Sequence, residues 1–99
     1  MRLVRLEAGR RRSPHRHPHS QEAIYVVSGA GVLWEDGVER HVEAGDCLLI
    51  DTGVPHATIP TSGAMELVCF LPRSGLESNL EELEHILITG DEGGGERDE

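Results

Sequence analysis

Only three of the 99 residues are aromatic: Tyr25, Trp34 and Phe70. A core must therefore be filled mainly by Val, Leu, Ile and Ala, and a ligand cleft walled by aromatic rings is excluded. Lysine is absent altogether, a bias that reads as genome composition rather than chemistry. Cysteine is scarce, with only Cys47 and Cys69. Both fall in apolar, strand-like runs, so each reads as a small buried hydrophobe, and nothing indicates a mutual disulfide. No apolar run approaches the roughly 18 residues that a membrane helix needs. No signal or transit peptide is visible. The expected setting is soluble, reducing and cytoplasmic.

Positive charge is also scarce once the first sixteen residues are passed. Arg2, Arg5, Arg10, Arg11, Arg12 and Arg16 make that stretch basic, yet the chain carries a net charge of −9. From residue 77 onward there are nine acids against one base, Arg97. A nucleic-acid partner wants a broad basic face, so that function is excluded as the main one. Arg10–Arg12 reads as a solvated loop, or more sharply as an entrance that attracts anionic ligands. The length allows one domain with a modest core. A homodimer would bury further apolar area.

What is present is a series of short strands with a turn at each join. Strands are expected over 2–8, 22–28, 32–35, 38–42, 47–50, 56–59 and 66–71. Asp36-Gly37 is a hairpin signal, and Ser28-Gly29-Ala30-Gly31, Glu43-Ala44-Gly45-Asp46 and Pro60-Thr61-Ser62-Gly63 are turns. This spacing argues for an all-β sandwich or barrel. The period then changes. Leu76, Leu80, Leu83 and Leu87 recur at helical spacing, and Ser78 with Glu81 suits a capping box. A short C-terminal helix is expected over about 76–88, with a late strand at Ile86–Ile88 as the alternative. Residues 1–89 thus form the domain, and 90–99 read as a disordered acidic tail.

The chemistry gathers at the histidines. His15, His17 and His19 are spaced two apart, and Glu22 follows. Pro14 and Pro18 push their neighbours toward extended geometry and rule out a helix there. On an extended segment, residues i and i+2 face the same side, so the imidazoles of His15 and His17 can point at one centre. His19 continues the series, but Pro18 and the approaching turn favour the rim for it. There it is a candidate catalytic proton donor. A register using His17 and His19 with Glu22 remains the alternative. Trp34 reads as core or interface, Tyr25 as core or dimer packing. Leu67, Cys69 and Leu71 share one face of their strand, opposite Val68 and Phe70, and either face can line a cavity.

Gly9, His15, His17, Glu22 and Gly29 stand in a spacing that resembles the first motif of the cupin superfamily. Gly45, Asp51, Gly53 and His56 resemble its second motif, although the family usually has proline where Asp51 stands and asparagine where Pro60 stands. Neither departure is at a ligand position. The resemblance implies a double-stranded β-helix, the RmlC-like jelly-roll barrel, with a metal inside. By position its ligands would be His15, His17, Glu22 and His56. Three neutral imidazoles and one carboxylate suit a divalent transition metal among Fe, Mn, Zn, Ni, Co and Cu. Four protein ligands in an octahedral field leave room for substrate or water. The function implied is a metal-dependent enzyme of dioxygenase, isomerase or lyase type, acting on a small anionic or polyhydroxy molecule. The alternatives are a non-catalytic module that binds a small ligand or metal, and a structural or storage protein.

Overall fold

The structure is a computed structural model and describes residues 1–9, 13–72 and 81–83. It contains nine strands among those residues: β1 (Arg2–Leu6), β2 (His15–Arg16), β3 (Glu22–Ser28), β4 (Ala30–Glu35), β5 (Val38–Glu43), β6 (Cys47–Ile50), β7 (His56–Pro60), β8 (Met65–Phe70) and β9 (Glu81–Glu82). They form a four-stranded sheet in the order β1-β8-β3-β6 and a five-stranded sheet in the order β5-β4-β7-β2-β9. Every pairing is antiparallel. No helix occurs among the described residues, and none there is long and apolar enough to cross a membrane.

Alternation along the strands builds the interior. In β3, Glu22, Ile24 and Val26 are buried, while Tyr25 and Val27 face out. In β8, Met65 and Leu67 face in. In β6, Leu48 and Ile50 do so. Leu33 of β4 and Val42 of β5 meet them from the other sheet, giving one apolar cluster between the two layers. Deleting buried methylenes from such a cluster costs on the order of 2–5 kcal/mol per Leu, Ile or Met→Ala change. A smaller cluster, Ala57 and Ile59 with Trp34 packed against it, lies on the opposite side of the five-stranded sheet. Those residues alternate with His56 and Thr58 along β7.

Turn geometry follows the residue chemistry. Asp36 (φ 51°) and Gly37 (φ 93°) both take the left-handed conformation that a tight hairpin demands. Gly29 sits at φ 89° between β3 and β4, where a Cβ would run into the Ala64 carbonyl oxygen and Met65.

Some expectations need correction. Cys47 is exposed, not buried. The run Cys47–Ile50 is apolar throughout, so its sequence hides an alternation in which Cys47 and Leu49 point outward. Gly31 belongs to β4 rather than to the turn, because its missing side chain lets the backbone of Ile59 and the Met65 side chain approach closely. Most of the helix expected over 76–88 lies outside the described residues. Where the chain is described within that span, it is extended: Arg16 and His15 pair with Glu81 and Glu82, and the Leu83 amide donates to the Pro14 carbonyl at 2.8 Å. Strand pairing there overrides the local helical spacing. The late-strand alternative at 86–88 and the acidic tail at 90–99 also lie outside the described residues.

Candidate metal centre

The two sheets supply opposite walls of the site. His15 on β2 pairs directly with His56 on β7. Side chains opposite one another in adjacent strands stand close together, and the two ring centroids are 4.4 Å apart. His17 follows β2 by one residue, and its ring centroid lies 5.1 Å from that of His15 and 5.6 Å from that of His56. Its carbonyl accepts the Gly53 amide at 2.9 Å, which ties the loop before His56 to the first histidine pair. Glu22 comes from the other sheet, at the start of β3.

One carboxylate oxygen gathers the cluster. Glu22 Oε1 lies 3.0 Å from His17 Nε2 and 2.8 Å from His56 Nε2. The His56 Nδ1–H donates to the Val54 carbonyl at 3.0 Å. That bond fixes the ring and directs Nε2 at the carboxylate, the backbone support that metal-binding histidines usually have. The ligand atoms of His15, His17, Glu22 and His56 all lie within 4.8 Å of one another. His17, Glu22 and His56 are buried, and His15 is half-buried. Lone-pair donors converging in a buried space repel unless a proton or a cation lies among them. The donor set therefore fits a divalent transition metal.

The electrostatics prepare the same state. Burial, and then the neighbouring His56, lower the His15 pKa from 6.5 to about 4, so its imidazole is neutral at pH 7. Burial pulls Glu22 upward, but the hydrogen bonds from His17 and His56 and their charges outweigh it and hold the carboxyl well below its usual range. For His15 and Glu22 these are the forms that ligate metal, a neutral imidazole and an ionised carboxylate. These shifts set the acid behaviour of the metal-free protein. A histidine whose folded pKa is depressed stabilises the fold above its unfolded pKa and loses that contribution as pH falls. Between pH 6.5 and about 4, His15 alone should cost about 3 kcal/mol. Glu22 adds a further loss below the ordinary carboxylate range. Urea unfolding across this pH window checks the expectation: His15→Gln should flatten the decline above pH 4, and an unchanged slope would contradict it.

The structure brings together all four residues read as ligands. It places His19 outside this cluster, exposed on the turn formed by Pro18, His19 and Ser20. Three neighbours of the site were not singled out from sequence. Cys69 faces inward on β8, and its thiol is pushed up to about 12 by burial, then by the charge of Glu22 and a hydrogen bond to it. It therefore stays protonated beside the carboxylate. The alternation of Leu67 and Cys69 was visible in sequence, but the inward face was fixed only by the packing of Leu67. Glu35 pairs with His56, and Glu82 with His15, so acids flank the two histidines within one row across the sheet. That row exists only through strand register, and no sequence pattern signals it.

Two facing antiparallel sheets with this inward cluster define a double-stranded β-helix with a candidate metal centre. A family model for the cupin domain matches residues 2–71, and the chain belongs to that family. No curated protein matches the sequence. Among solved structures, a double-stranded β-helix protein from Klebsiella pneumoniae superposes with a TM-score of 0.69 at 21% identity, over 81% of this chain and 70% of that one. A sugar phosphate isomerase of the cupin superfamily from Silicibacter pomeroyi is 30% identical, with a TM-score of 0.64, over 73% of this chain and 48% of that one. The DMSP lyase DddQ from Ruegeria pomeroyi is 25% identical, with a TM-score of 0.68, over 80% of this chain and 40% of that one. The chain thus spans less than half the length of either enzyme.

Proposed function

We propose that this chain is a metal-dependent cupin enzyme of isomerase or lyase type, acting on a small anionic or polyhydroxy molecule. The observation that carries the reading is the convergence of His15, His17, Glu22 and His56 within 4.8 Å. Likeness to a sugar phosphate isomerase and a lyase favours isomerase or lyase chemistry over dioxygenase chemistry. A divalent metal bound there would polarise a carbonyl or hydroxyl of the substrate. His15, His17 and His56 would hold it from one wall, and Glu22 from the other. The Val54 carbonyl keeps His56 oriented, and the protonated thiol of Cys69 stands beside Glu22. His19, exposed at the turn beside His17, is the candidate proton carrier between solvent and substrate.

The test is turnover. Metal-loaded protein incubated in deuterated water with sugar phosphates, uronates and small hydroxy acids should convert one class, or exchange a proton next to its carbonyl. Glu22→Gln should abolish this, and His19→Ala should lower the rate without lowering metal content. Binding of these molecules without conversion or exchange would move the assignment to a non-catalytic ligand-binding module. Substrate-dependent oxygen uptake by an iron-loaded form would move it to a dioxygenase.

A further inference from the structure

We propose that Arg2 is the anion-binding residue at the mouth of the metal centre, and that the group it holds is a carboxylate of the substrate. The proposal rests on the enzyme reading above and narrows its substrate class to small carboxylates such as hydroxy acids and uronates. Alternation puts the Arg2 side chain on the inner face of the barrel. Val4 is half-buried and Leu6 packs against the core cluster, and Arg2 shares their side of β1, while Leu3 and Arg5 take the other side. Register then puts it beside the site. Arg2 stands opposite Cys69 of β8, and residues opposite one another on antiparallel strands project from the same face. The Cys69 thiol in turn lies beside Glu22. The Arg2 charge also acts on His15, which belongs to the other sheet. Burial is the main cause of the pKa shifts at His15 and Cys69, but Arg2 adds to it at the first and opposes it at the second. Of the four clustered residues, His15 is the one that is only half-buried. A molecule approaching the cluster therefore passes His15, within reach of the Arg2 charge.

Pairing sets Arg2 apart. The other arginines among the described residues each have an acid: Arg5 lies 2.9 Å from Glu7 and 3.6 Å from Glu66, Arg16 lies 2.6 Å from Glu81, and Arg40 lies 3.7 Å from Glu35. Among the described residues Arg2 makes no ion pair, although the chain carries 18 acids. A guanidinium on the inner face that is clear of the protein's own carboxylates is available to an anion from outside. The local charge then selects the anion. One guanidinium presents a planar fork that matches a carboxylate with two parallel hydrogen bonds. A phosphate monoester carries nearly two charges at pH 7 and wants a second cation. Around Arg2 the described residues supply none: Arg16 and Arg40 are neutralised by Glu81 and Glu35, and His15 is uncharged at pH 7. Glu82, opposite His15, adds a negative charge that a dianion would meet. A carboxylate on Arg2 would leave the rest of the molecule, its hydroxyl or carbonyl groups, turned toward the cluster.

The test is a nuclear magnetic resonance titration of the full chain, zinc-loaded and metal-free, followed at the arginine Nε–H and backbone amide signals. The probes form two pairs that differ at the anion: glucuronate with glucose 6-phosphate, and glycerate with glycerol 3-phosphate. At least one carboxylate should shift the Arg2 Nε–H signal to saturation and bind more tightly than its phosphate counterpart. Arg2→Gln should weaken that binding about tenfold or more. Circular dichroism and zinc content should not change, because the Arg2 side chain is exposed and lies outside the cluster. Arg5→Gln, on the outer side of the same strand, should leave binding as it is. Equal carboxylate binding by Arg2→Gln would overturn the proposal. So would a preference for the phosphates, or failure of both carboxylates to bind at high millimolar concentration. Carboxylate binding that depends on Arg2, with no turnover of any probe, would set aside the enzyme reading and uphold the assignment of Arg2.

Discussion

His56→Ala should leave a folded barrel that binds divalent metal at least about 100-fold more weakly, since loss even of a supporting partner costs 10–100-fold. His56 is 1% exposed, and its Nε2 meets Glu22 Oε1 at 2.8 Å. Its removal takes away one donor and half of the pair of imidazoles that hold the carboxylate. Some stability is lost as well, because a buried charge that loses a partner is costly. His15→Ala separates the two effects. His15 makes none of the hydrogen bonds that gather on Glu22 Oε1, so its loss should weaken metal binding with a smaller effect on the fold of the metal-free protein. Competition titration against a chelator dye measures both variants. If His56→Ala binds metal as the parent does, His56 is not a ligand.

Gly29→Ala should destabilise the fold by about 3 kcal/mol, adding the cost of a left-handed residue with a Cβ to that of overpacking. Gly29 has φ 89°, and the new methyl would meet the Ala64 carbonyl oxygen and Met65, whose side chain is fully buried. Backbone on one side and core on the other leave little room to relax. In a domain of this size such a loss lowers Tm by roughly 10–20 °C. Gly37→Ala is the contrast: φ is 93° there, but nothing stands within 4 Å of the added methyl. It should cost only the backbone term. Equal losses in thermal melts would contradict the close packing at Gly29.

Much of the barrel was legible because each strand follows a local rule. The strand from Glu22 to Ser28 carries the β-branched Ile24, Val26 and Val27, and its burial alternates, and Asp36-Gly37 dictates its own turn. The four site residues were legible because motif spacing preserves what extended geometry allows at His15 and His17. What stayed hidden depends on long-range register. The row that joins Glu35, His56, His15 and Glu82 is made by three separate strand pairings. Cys47 looked buried because a strand apolar on both faces does not say which face meets solvent. Glu81 and Glu82 belong to a sequence with helical spacing, yet they complete the edge beside β2, since pairing outweighs a weak local preference.

His15, His17, Glu22 and His56 form the cluster proposed to hold one divalent metal. Titration of the metal-free protein with Co²⁺, followed by visible absorption and by the imidazole proton resonances, tests it most directly. One equivalent should bind, with the signals of His15, His17 and His56 changing together and far more than that of His41, which lies outside the cluster. Saturation without change at the three clustered histidines, or no binding at neutral pH, would contradict it.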